Sequence, residues 1–144
     1  MSTTTRTSEM IDLTEDRTRK EVIPHLDIFT RNYVVALLWV ERLDGSSVHD
    51  LSRPALRRAI TECREFQEQN AELLETAYAG RYHGRATVYG PAQAGHDFAL
   101  TRQGAGAGFW DGDIPKEEGN ALTEAADDFK TLYVHTSGGY VFTE

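Results

Sequence analysis

Residues 95–112, GHDFALTRQGAGAGFWDG, constrain the fold more than any other stretch of this chain. Phe98 and Leu100 alternate with Asp97, Ala99 and Thr101, five glycine and alanine residues follow, and Phe109 and Trp110 close the run. Alternation around a glycine-rich connection predicts a β-hairpin, with Phe98, Leu100 and one of the two aromatics facing the core. The connection lacks the Lys-Ser/Thr of a phosphate-binding loop and leads into FWDGD, so its glycines read as turn residues.

Upstream, Leu26, Phe29, Tyr33, Ala36, Leu37 and Val40 recur at three and four, and Val34, Val35, Leu38 and Trp39 fill much of the other side. This spacing predicts a helix buried nearly all round. LDGSSVHDLS reads as a loop, and Ser52 with Pro54 marks a helix start. The stripe from Leu56 through Ala59, Ile60, Cys63, Phe66, Leu73, Leu74 and Ala77 to Tyr78 predicts one long helix, interrupted in polarity at Asn70 and stopped at Gly80. Residues 80–95 read as an exposed loop with a short strand at 86–89, and base stacking on Tyr82 and Tyr89 is less expected than a loop rim.

The segment 111–130 carries seven carboxylates against Lys116 and Lys130. Leu122, Ala125, Ala126 and Phe129 predict a third helix, with Glu124, Asp127 and Asp128 solvated. Leu132 and Val134, then Tyr140 and Phe142, flank Ser-Gly-Gly as a second hairpin. The expected fold is therefore α+β: two N-terminal helices packed on a four-stranded antiparallel sheet made of two hairpins separated by an acidic helix. Residues 1–20 are expected to form a flexible arm and 21–144 a single domain, since the arm offers only Met10, Ile11 and Leu13 as sizeable apolar groups.

A net charge of -8 over 144 residues disfavours direct nucleic-acid binding. Cys63 is the only cysteine, which excludes an intrachain disulfide and a multi-cysteine zinc site, and its place on an apolar stripe predicts a core residue. The longest apolar run, Tyr33 to Val40, is far shorter than the ~18 residues of a membrane span, so a cytoplasmic protein without membrane contact is expected. The five histidines have no close metal-ligand spacing, and no metal or cofactor is expected. His96 and Asp97 adjoin, but in a strand they point to opposite faces, so no residue is assigned a catalytic role.

The candidate binding surface is Arg102, Trp110, Asp111 and Asp113 at the hairpin, with Glu124, Asp127 and Asp128 on the acidic helix. Trp and Arg are enriched at the energetic centres of interfaces, although a core Trp110 and an Arg102–Asp111 pair across the hairpin are an equal alternative.

The strings GHDF, LTR and GAGFWD resemble a signature of small bacteriophage and mobile-element proteins, GHDFxLTRxGxGAGFWD. The similarity extends through YVVALLW, ECREFQEQNAELLE, LTEAADDF and TLYVHTSGGYVFTE, about three quarters of the chain, and leaves out RYHGRATVYG. Ala99, Gln103 and Ala105 depart from it, standing where the signature carries Trp, Asn and His. The resemblance implies a phage-type accessory protein in the host cell; the lack of an assembled active site, beside aromatic and acidic groups at the hairpin tip and the neighbouring acidic helix, makes binding of a host or phage protein the leading expectation. The alternatives are an acidic DNA mimic that inhibits a nucleic-acid-binding protein and a small hydrolase-like enzyme using His96, Asp97 and Asp111. Absence of the histidine at position 105 counts against the enzyme.

Overall fold

A computed structural model describes residues 18–43, 45–82, 85–86 and 89–144. Residues 1–17 of the expected arm and His83, Gly84, Thr87 and Val88 of the 80–95 segment lie outside these. Thr18 accepts from Glu21 N, and Glu21 answers to Thr18 N, a reciprocal cap that starts α1 (Arg19–Val22).

The chain then runs through a 3₁₀ turn (Ile23–His25) into α2 (Ile28–Val40), where the Asp27 carboxylate caps Thr30 N at 2.7 Å. Ser52 caps α3 (Arg53–Gln69) through Ala55 N, with Pro54 in the first turn. Asn70 does more than interrupt polarity. Its backbone leaves helical geometry, ending α3 and starting α4 (Ala71–Ala79), which stops at Gly80.

The main correction falls on residues 95–102. They form no hairpin: they belong to α5 (Pro91–Arg102), followed by a glycine-rich loop and α6 (Lys116–Asp127). Pro91 takes the first helical position, where its missing N–H costs nothing, and Gln93 reaches back to Gly90 N at 3.0 Å. Gly104, at φ +64°, ends the helix: its N–H bonds Thr101 O and the Ala105 N–H bonds Leu100 O. Those two bonds make a Schellman turn, so the glycines expected in a hairpin connection serve as a helix stop.

The four-stranded sheet is likewise absent. Among the described residues the strands form two separate two-stranded antiparallel ladders, β1 (Arg81–Tyr82) with β2 (Arg85–Ala86) and β3 (Val134–Ser137) with β4 (Tyr140–Thr143). The C-terminal hairpin turns on Gly138 and Gly139, both at positive φ as a tight two-residue turn requires. It joins the rest through a parallel bridge between Leu51 and Val141 and a Ser52 N to Val141 O bond.

The core explains why α5 replaces the hairpin. Ala94, Gly95 and the whole of Asp97 to Arg102 are buried, so α5 is enclosed from Asp97 on, and its exposed Pro91, Gln93 and His96 are too few to give it a helical polarity pattern. Its main neighbour is α2, and a Cβ at Gly95 would collide with the Phe29 carbonyl, so glycine permits this close approach. Phe98 stacks on Phe66 at 4.2 Å between centroids and meets Phe129 edge-on at 5.3 Å, while Phe109 stacks on the other side of the cluster against Phe66 at 5.6 Å. Each such pair adds about 0.5–1.5 kcal/mol beyond simple burial. No described helix is long and apolar enough to cross a membrane.

Candidate functional site

Arg102 is not a surface residue. It is 3% exposed, and its guanidinium donates to Glu62 Oε1 at 2.6 Å, Tyr33 Oη at 3.1 Å, Phe129 O at 2.8 Å and Lys130 O at 2.6 Å. The alternative Arg102–Asp111 pair therefore does not form; the partner is Glu62, 40 residues upstream. Thr101 and Gln103 are structural too. Thr101 Oγ1 accepts from Phe109 N, and the Gln103 amide both donates to Leu132 O and accepts from Leu132 N.

These anchors shape the loop that follows. Phe109 and Ile114 are buried at its two ends, so the exposed segment between them is held beside α5, with Asp111 and Asp113 close to Asp97 of that helix. Asp111 Oδ2 accepts from Gly108 N at 3.3 Å, which fixes that turn. Trp110 is 51% exposed, whereas Phe109 is the aromatic that enters the core. Glu124, Asp127 and Asp128 are exposed at the end of α6, apart from the site described next.

Between α2, α5, the Ser46–Val48 segment and this loop lies a groove of about 810 Å³. Its apolar wall includes Val35, Ala36, Leu38, Trp39 and Leu100, and its polar lining includes Arg31, His96, Asp97, Asp111 and Asp113. Here the expectation for α2 is corrected: Val35 and Trp39, four apart on one face, are 58% and 59% exposed and are not core. The helix is apolar on more sides than a domain of this size covers. Arg31 is engaged elsewhere by one arm, donating to Ile23 O at 3.1 Å.

His96 and Asp97 also change roles. On a helix, neighbours are separated by about 100°, not 180°, and both line this groove. Asp97 is 5% exposed and accepts from the Tyr89 hydroxyl at 2.8 Å. One of its carboxylate oxygens lies within 4.8 Å of one oxygen each of Asp111 and Asp113. Burial raises the Asp97 carboxyl to about 7, the Asp111 and Asp113 charges push the same way, and the Tyr89 hydrogen bond opposes them. Asp113 is also raised, by partial desolvation and by the Asp111 carboxylate beside it.

Such a trio can hold a proton between carboxylates, accept a cation, or offer oxygen ligands to a hard divalent ion such as Mg²⁺, Ca²⁺ or Mn²⁺. Asp97, Asp111 and Asp113 are the described residues that would ligate it, where the spacing of the histidines had led to no metal expectation. Of the three positions that depart from the resembled signature, Ala105 lines the groove. Sequence reasoning named Asp97 only for the enzyme alternative, counted Trp39 among the buried side of its helix and read Tyr89 as part of a loop rim; it did not join the three at one site. The available signal was the second apolar stripe, Val35 with Trp39, on an already apolar helix.

No family model, curated protein or solved structure matches this chain.

Proposed function

We propose that this is a phage-type accessory protein that acts by binding another protein, host or phage, with the groove beside α2 and α5 as its recognition site. The observation that carries this is the exposed apolar wall: Val35 and Trp39 stand more than half exposed along a groove of about 810 Å³ that ends in three carboxylates. Contiguous apolar surface rimmed by polar groups is what interfaces and ligand grooves use, because covering it releases ordered water. Of the surface expected from the sequence, Asp111 and Asp113 line this groove, Trp110 is exposed on the same loop without lining it, and Arg102 drops out. Glu124, Asp127 and Asp128 read as an ordinary solvated helix face, so no specific arrangement favours the DNA mimic.

The test is quantitative capture from a bacterial host lysate with wild type, Trp39→Ala, and a control at the exposed Asp127 and Asp128. Loss of the same captured protein with Trp39→Ala alone supports the groove. Capture that is equal for all three, with every protein folded, overturns it.

One observation favours a second reading, a small hydrolase-like enzyme: His96 and Asp97 of α5 and Asp111 of the loop after it line one cavity. A buried carboxyl raised to about 7 is poised for general acid–base work at neutral pH. Turnover of chromogenic phosphate or acyl esters with Mg²⁺ or Mn²⁺, lost in both Asp97→Asn and Asp111→Asn, supports it. No turnover of any of these esters counts against it.

A further inference from the structure

We infer that the groove takes a partner segment in which an apolar side chain lies next to an arginine or lysine, the apolar group against Val35, Leu38 and Trp39 and the cation among Asp97, Asp111 and Asp113. This rests on the protein-binding reading above and names the chemistry that the partner must bring.

Charge complementarity selects the occupant. Three carboxylates face the groove, against His96 and Arg31, and Arg31 already donates to the Ile23 carbonyl. Asp97 accepts from the Tyr89 hydroxyl, Asp111 from the Gly108 N–H, and Asp111 and Asp113 bond one another, so the contacts described for the three are neutral donors or like charges. A bound cation relieves that repulsion at once. The groove beside the carboxylates is apolar, and a cation carried on an aliphatic stem satisfies both surfaces together, the stem packing on Leu100 and Val35 while the charged head reaches the acids. Trp39 adds an exposed aromatic face to the same wall. A hydrated divalent ion would meet the carboxylates and leave that wall bare. A second copy of this acidic chain would bring net charge of the wrong sign.

A volume of about 810 Å³ accommodates several side chains, which points to a short peptide segment and not to a single amine.

The experiment selects peptides from a random display library on the full-length chain, then measures the enriched peptides against variants by fluorescence anisotropy. The inference expects enriched peptides to share an apolar residue within two positions of Arg or Lys. It expects affinity to fall at least about tenfold with Asp111→Asn/Asp113→Asn, with Trp39→Ala, and when the peptide's basic residue becomes Gln. Asp111 and Asp113 are exposed, so circular dichroism should show these variants folded, and Asp127→Asn/Asp128→Asn is the surface-charge control. Enriched peptides without a basic residue, or affinity unchanged in the Asp111/Asp113 variant, overturn the inference. So does no enrichment at all, or calorimetric Ca²⁺ or Mn²⁺ binding that blocks the peptide, or concentration-dependent dimerisation lost in Trp39→Ala. Partner capture that needs Trp39 and ignores Asp111 and Asp113 overturns this inference while leaving the protein-binding reading intact.

Discussion

The Tyr89 hydroxyl donates to Asp97 Oδ2 at 2.8 Å, and this bond joins a residue two positions before α5 to a carboxylate in its second turn. Tyr89 is itself buried, 4% exposed, and burial holds its own hydroxyl protonated far above the usual range. The pair therefore presents a fixed neutral donor to a carboxyl that two neighbouring acids push toward protonation.

From this follows a pH dependence with a definite sign. Asp97 titrates near 7 when folded and near 3.8 when unfolded, so between these values the native state holds the extra proton. Its contribution is greatest at low pH and is lost as pH rises through about 7, with a ceiling of about 1.4 kcal/mol per pH unit. Urea denaturation across this window should show wild type losing stability relative to Asp97→Asn as pH rises. A constant difference between the two would contradict the raised carboxyl. Because the Tyr89 bond opposes the upward shift, Tyr89→Phe should raise the Asp97 midpoint further, read from the carboxyl carbon by NMR.

Arg102 is expected to be the costliest charged residue to remove. Arg102→Ala leaves the Phe129 and Lys130 carbonyls without their donor and Glu62 with only the longer Arg58 pair at 3.7 Å, a loss of about 3–5 kcal/mol. Arg102→Lys should recover little, since one ammonium cannot reproduce a planar fork serving four acceptors on three elements. Chemical denaturation of both variants against Glu62→Gln checks this; a loss below about 1 kcal/mol would place Arg102 outside the fold's support.

Gly95→Ala inverts the usual helix preference. Alanine ordinarily gains about 1 kcal/mol over glycine inside a helix, but here its Cβ meets the Phe29 carbonyl and α5 must move away from α2. Thermal melting should show a net loss of at least about 2 kcal/mol, equivalent to about 4 °C or more for a domain of this length. A stabilised Gly95→Ala would refute the close helix approach.

Trp39→Ala and Trp110→Ala should behave in the opposite way to core substitutions. Both side chains are more than half exposed, so stability should change by no more than about 1 kcal/mol, while partner capture falls with Trp39→Ala. Phe98→Ala gives the contrast, at about 3–5 kcal/mol from the stacked cluster.

What local sequence determined is what has a one-sided environment. α3 buries one stripe and solvates the other, so its period, its Ser52 cap and its Pro54 start were all legible, as were the Gly80 stop and the Gly-Gly turn of the last hairpin. α6 was legible for the same reason. Only the tertiary structure decided α5. A helix enclosed by α2, the aromatic cluster and the residues after α6 buries Phe98, Ala99, Leu100, Thr101 and Arg102 in succession, and consecutive burial erases the helical period. The few polar residues left then imitated a strand's alternation. That error separated His96 from Asp97 and hid the site, because Asp97, Asp111 and Asp113 meet only after a Schellman turn folds the loop back over α5 and Phe109 and Ile114 pin its ends in the core. Charge, composition and residue spacing carry no record of such a return; it is made by long-range packing, which is where the acidic end of the groove comes from.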